Sequence, residues 1–173
     1  AAQGGGAVRV RHMSQELLDS VTLPGDPAKA NEDAFGHDAR AAIVLDGATG
    51  LGENLLPGPS DAAWLARFGV RRILAHLGEG EEAREALAHA LGDAEESFAG
   101  LRRRAPKEKW EIPYASMMLV TQGKGEEIEF LFFGDCTALV ARPGAAVETV
   151  GEAFGKRAAE AARAAKIAAE KNL

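Results

Sequence analysis

Three carboxylates, Glu32, Asp33 and Asp46, are the residues whose types and spacing could do chemistry. Ala41 to Leu45 is a short apolar run with β-branched members, bounded by turn residues before it and by Asp46-Gly47 after it. That pattern reads as a buried strand. Residues 32 to 36 supply an antiparallel partner if the bend centres near Asp38-Ala39. Facing residues then have numbers that sum to about 77, which puts Glu32 opposite Leu45 with Asp46 one residue beyond. Three acids converge on one strand end, where like charges repel and raise one another's pKa. A hard divalent cation removes that conflict, since Mg²⁺, Mn²⁺ and Ca²⁺ prefer carboxylate and carbonyl oxygens. Gly47 and Gly50 leave the backbone free to turn and bring a carbonyl to the ion. The plainer alternative is a hairpin whose acids face water.

The order of these residues resembles a known family. Asn31-Glu32-Asp33-Ala34, an apolar strand and Asp46-Gly47-Ala48-Thr49-Gly50 are similar to the metal-dependent serine/threonine phosphatases of the protein phosphatase 2C type. Ala115-Ser116-Met117-Met118 resembles that family's Gly-Ser/Thr-Thr-Ala strand. Phe133-Gly134-Asp135-Cys136-Thr137-Ala138-Leu139-Val140 resembles its Gly-Asp-Ser-Arg strand. The order of strands, two helices, strands and a helix itself implies an α+β fold with antiparallel sheets, and the resemblance, which spans residues 14 to 155, implies more. The expected architecture is an antiparallel β-sandwich flanked by helices, the four-layer α/β/β/α arrangement, incomplete here.

It also implies an activity: hydrolysis of phosphoserine or phosphothreonine in proteins, with Mn²⁺ or Mg²⁺ as cofactor. By the same resemblance Asp46 bridges two metals, Glu32 holds one and the Gly47 carbonyl the other. Asp33 orients metal-bound water, and Asp135 matches an acid that serves a weaker metal, although a plain turn residue reads equally well there.

The departures from the family matter. Ala28 stands where an arginine grips substrate phosphate, and the adjacent Lys29 offers a point charge instead of a bidentate fork. Thr49 replaces a glycine of the metal turn, Thr137 replaces the arginine after Asp135-Cys136, and no aspartate follows Asp135. The expectation is therefore a chain lacking the family's C-terminal portion, with weak or absent turnover. The competing expectation is a pseudo-phosphatase or fragment acting as a non-catalytic binding module.

Several elements must position these groups. The 173 residues suffice for one domain, assigned to residues 13–173, while the glycine-rich basic stretch 1–12 reads as a cloning remnant or a flexible arm. Leu17 to Leu23 alternates loosely and predicts a first strand, closed by Pro24-Gly25-Asp26-Pro27. Ser60 and Asp61 predict the cap of a largely buried helix running to Leu77. A second helix is expected over 81–104, with acids first and Arg102, Arg103 and Arg104 last, as the helix dipole favours. Strands are expected at 114–121, 128–133 and 138–141, and an Ala-rich helix at 152–173.

A net charge of −6 argues against nucleic acid or an anionic membrane as the main partner; it is the resemblance that implies a phosphoprotein or phosphopeptide substrate. No apolar run is long enough to span a membrane, and one cysteine suits a reducing, cytoplasmic setting. Absence of the family's later strands predicts an exposed apolar edge, and with it a homodimer through that edge or through the last helix. Cys136 reads as a small buried residue, Trp64 and Trp110 as core and loop anchors, and His37, His76 and His89 show no ligand spacing.

Overall fold

A computed structural model describes residues 15–48, 50, 52–123 and 127–151. The helix expected at 152–173 lies outside the described residues. An antiparallel sheet of order β1-β2-β3-β4 comprises β1 (Asp33–His37), β2 (Ala41–Ala48), β3 (Tyr114–Gln122) and β4 (Ile128–Phe133). Helices α1 (Asp61–Gly78) and α2 (Ala83–Leu101) enter between β2 and β3. A second, two-stranded sheet pairs β5 (Thr137–Val140) with β6 (Glu148–Gly151). The chain is thus a small α+β domain with two helices, a four-stranded sheet and a two-stranded sheet among its described residues.

Alternation along β2 separates the two faces of the main sheet. Ala41, Ile43 and Leu45 are buried and pack with Ala66, Val70, Ile73 and Leu77 of α1 and with Met117 and Leu119 of β3. Gly36 has no side chain because α1 leaves no room: a Cβ there would sit 2.6 Å from Val70 Cγ1. The opposite face carries a row that crosses the whole sheet, Phe35–Val44–Met118–Phe132. Phe35, Val44 and Phe132 are exposed, whereas Met118 is buried. A Cβ on Gly151 would lie 3.3 Å from the Met118 methyl, so the β5–β6 sheet reaches this open face at Met118.

Three expectations change. The second helix runs Ala83–Leu101, so Arg102, Arg103 and Arg104 follow it instead of filling its last turn. Residues 15–24 form no strand; they follow the sheet edge, held by Gln15 N–H to the Ala39 carbonyl (2.8 Å) and by Asn31 Nδ2 to Thr22 Oγ1 (2.7 Å). The apolar residues there lack a true period of two, since Leu17 and Leu18 are adjacent, so no single face could be buried. The β1–β2 register also differs: facing residues are Asp33 and Asp46, so Glu32 is not opposite Leu45, whose partner is Ala34. The Asp38 carboxylate accepts from the N–H groups of Arg40 (2.7 Å) and Ala41 (2.8 Å), which puts Ala39-Arg40 at the tip of the hairpin. That tip is one residue later than the spacing suggested.

No helix among the described residues is long and apolar enough to cross a membrane.

Candidate metal centre

The row next to Phe35–Val44–Met118 on the open face is Asp33–Asp46–Ser116. Directly opposed side chains have Cβ atoms ~5 Å apart, so the Asp33 and Asp46 carboxyls meet. Asp135 joins them from the turn after β4, where Ser116 Oγ donates to its Oδ1 at 2.8 Å. Gly134 makes that turn with φ +77°, and a side chain on it would strike Ser116 Oγ and Cβ. Only glycine satisfies both the left-handed backbone and the lack of space.

Glu32 is tied to the same end of the sheet. Its backbone carbonyl accepts from Gly47 N–H (3.2 Å), and its Oε1 accepts from Ser60 Oγ (2.5 Å). The Ser60 oxygen also caps α1 by accepting from Ala63 N–H at 3.1 Å. The positive end of the helix dipole therefore adjoins the Glu32 carboxylate. Gly47 is sterically obliged: an added Cβ would lie 2.6 Å from the Glu32 carbonyl and 2.8 Å from that of Ala62. Asp61, read as a cap, instead begins the helix and accepts from Leu55 N–H (2.7 Å) and Leu56 N–H (3.0 Å), fixing the loop before α1.

Electrostatics register this gathering. Asp46 is raised to about 6, first by partial burial, then by the Asp33 charge and a hydrogen bond to Asp33, and further by Asp135 and Glu32. Cys136, beside them, is pushed up to about 11 by burial and by the charges of Asp46 and Asp135. Its thiol stays protonated and inert near neutrality.

Lys29 stands apart. It is exposed in the turn after Pro24, its N–H bonded to the Asp26 carbonyl (3.0 Å), and its ammonium pairs with none of the four acids. The Arg67 guanidinium of α1 is engaged elsewhere, Nη2 donating to the Asn31 carbonyl at 3.2 Å.

The four carboxylates are gathered but not tightly nested. Among the described residues, three ligand atoms lying mutually within 4.8 Å occur only in His76, Glu81 and His89. The donor set at Asp46 still suits a hard cation, because Mg²⁺ keeps several waters and needs only one or two carboxylates. Ser60 is the cap that the sequence predicts, but its bond to Glu32, the role of Ser116 toward Asp135, and the His76–Glu81–His89 group are not legible there. Only the Ser60 position, just before a helix, carried a local signal. Comparison with protein-family models, curated proteins and solved structures gave no match.

Proposed function

We propose that the Asp33–Asp46 pair binds Mn²⁺ or Mg²⁺ and that this centre serves phosphoester hydrolysis on phosphoserine or phosphothreonine, as the phosphatase 2C resemblance implies. The observation that carries the reading is the direct apposition of Asp33 and Asp46, with Asp135 and Glu32 adding to the negative field. Like charges held together in the absence of a cation are costly, so the arrangement is one that a divalent ion stabilises. Asp33, Asp46 and the Gly47 carbonyl would hold the ion, with Glu32 and Asp135 at its flanks. When bound, such an ion acidifies water and offsets phosphoryl charge.

The remaining groups shape the surroundings. A groove of about 590 Å³ starts at Asp33 and Asp46 and runs along the open face past Phe35 and Val44, walled by residues 17–23. A peptide lying along it would bring its phosphoryl group to the acids. Phosphate binding has no arginine fork to rely on, since Ala28 and Thr137 occupy those positions, so turnover is slow.

The second reading is a non-catalytic module that binds metal or phosphoprotein, favoured by Ala28, which stands where the resemblance places an arginine that grips substrate phosphate. Phosphate release from phosphoserine and phosphothreonine peptides, with Mn²⁺ and with chelator, decides between them. Metal-dependent release that disappears in Asp46→Asn supports hydrolysis. Mn²⁺ binding without release supports the module, and no Mn²⁺ binding at all removes the hydrolytic reading and leaves only a module that binds phosphoprotein.

A further inference from the structure

We propose that the hairpin between α1 and α2 carries a second metal site, for a borderline transition ion of the Zn²⁺ class, independent of the acidic centre. Its ligands are His76 in the last turn of α1, Glu81 in the connecting turn and His89 in the second turn of α2. Imidazole nitrogens with one carboxylate select Zn²⁺, Co²⁺ or Ni²⁺ over Mg²⁺. The chemistry is therefore distinct from that of the all-oxygen set around Asp46.

One ligand atom from each of the three residues lies within 4.8 Å of the other two. His76 Nδ1 lies 3.1 Å from Glu81 Oε1, and His89 Nδ1 lies 2.8 Å from Glu81 Oε2. Ligands ~2.0–2.1 Å from a tetrahedral zinc stand ~3.3 Å apart, so the two imidazoles, each now on its own Glu81 oxygen, must draw in around one ion, a movement that the exposed His89 side chain can make. The two imidazole centroids are 5.5 Å apart at 52°, which turns both Nδ1 atoms toward the shared glutamate.

A supporting carboxylate is in place as well. Asp93 Oδ2 lies 2.8 Å from His76 Nε2, holding a proton there and leaving Nδ1 to face the ion. Arg72 in turn donates from Nε to Asp93 Oδ2 at 2.7 Å, fixing that carboxylate. His76 and Glu81 side chains are 12% and 23% exposed, whereas His89 is 61% exposed. The site is thus anchored on its inner side and open to an arriving ion through His89.

The turn itself is built for this approach. α1 ends at Gly78, and Gly80 takes φ +97°, which reverses the chain so that His89 comes back alongside His76. Arg40 Nη2 closes the end of α1 by donating to the Leu77 carbonyl at 2.7 Å. Three ligands leave a fourth position to water, the pattern of an open zinc site rather than a closed structural one.

The test titrates the metal-free full chain with Co²⁺, follows its visible d–d absorption, and displaces it with Zn²⁺. One equivalent of Co²⁺ is expected to give the band and Zn²⁺ to abolish it. His89→Gln, at an exposed position that leaves the helices packed, is expected to weaken binding by about tenfold or more, and Asp93→Asn by about 10- to 100-fold. Asp46→Asn is expected to leave the band unchanged, which separates this site from the acidic centre. A wild-type chain without the band, or a His89→Gln variant that binds Co²⁺ as tightly as wild type, overturns the proposal.

Discussion

Asp33 and Asp46 face each other directly across β1 and β2, each the other's ladder partner. Asp46 responds with a carboxyl raised to about 6, with burial the largest cause and Asp33 the next. The two acids sit on the face of the sheet away from the helices, where neither serves the core. The hairpin therefore holds a repulsive pair that packing does not require.

Removing one charge relieves that repulsion. Asp46→Asn is expected to raise the stability of the metal-free chain at pH 7 by roughly 1 kcal/mol, a figure discounted for solvent screening because Asp46 is largely exposed. The same variant is expected to lose the rise in melting temperature that Mn²⁺ gives the wild type. Thermal melts with and without Mn²⁺ read both effects, and an Asp46→Asn variant less stable than wild type in chelator would contradict the repulsion.

Gly47 is fixed by close approach and not by its φ. A methyl group there meets two backbone carbonyls, those of Glu32 and Ala62, and neither can rotate away. Gly47→Ala is expected to cost ~1–3 kcal/mol as β2 and the start of α1 are pushed apart. Gly50→Ala, which meets nothing within 4 Å, is the control and is expected to stay within ~0.5 kcal/mol. Urea midpoints of the two variants test the contrast.

Much of this architecture is legible in the residues themselves. The apolar alternation of Ala41, Ile43 and Leu45 marks the face that α1 covers, and the periodic residues of 83–101 mark α2. The hairpin register is not legible, because Asp38 closes its turn through two side-chain bonds that shift pairing by two residues. A slip of two keeps every side chain on its own face, so the acids still converge although their partners change. β6 escapes the pattern because Glu148–Gly151 is four residues long and follows a Pro-Gly turn. His76, Glu81 and His89 have no motif spacing; only the reversal at Gly80 joins them.

The segment leading into β3 depends on an ion pair that titrates. Arg104 grips Glu111 with two bonds, Nη2 to Oε1 at 2.7 Å and Nη1 to Oε2 at 3.0 Å, while Lys107 N–H donates to Oε2 at 2.6 Å. These bonds, the Arg104 one foremost, lower the Glu111 carboxyl from 4.5 to about 2. A carboxyl depressed on folding stabilises the fold fully above its unfolded value and ceases to do so once protonated. The stability gap between wild type and Glu111→Gln is expected to be constant above pH 4.5 and to close between 4.5 and about 2. Urea titrations across that range check it; a gap undiminished at pH 2 would mean that the glutamate acts through shape and not through charge.

Ser116 is the residue that decides whether Asp135 belongs to the acidic centre. It stands beside Asp46 in the ladder, and its hydroxyl donates to Asp135 Oδ1 at 2.8 Å while accepting, more weakly, from Asp135 N–H at 3.5 Å. Without that hydroxyl the Asp135 side chain loses its tether and is free to turn to solvent, away from Asp46. The hydrogen bond is exposed, so its loss costs the fold only ~0.5–1.5 kcal/mol. Its effect on a bound cation is larger in proportion, because groups that orient ligands set affinity by about 10- to 100-fold. Ser116→Ala is therefore expected to weaken Mn²⁺ binding by about tenfold in calorimetry while its circular dichroism stays native. Ser116→Thr, which keeps the hydroxyl, is expected to restore the affinity. If Ser116→Ala binds Mn²⁺ as tightly as wild type, Asp135 is a turn residue, and the cation rests on Asp33 and Asp46 without it.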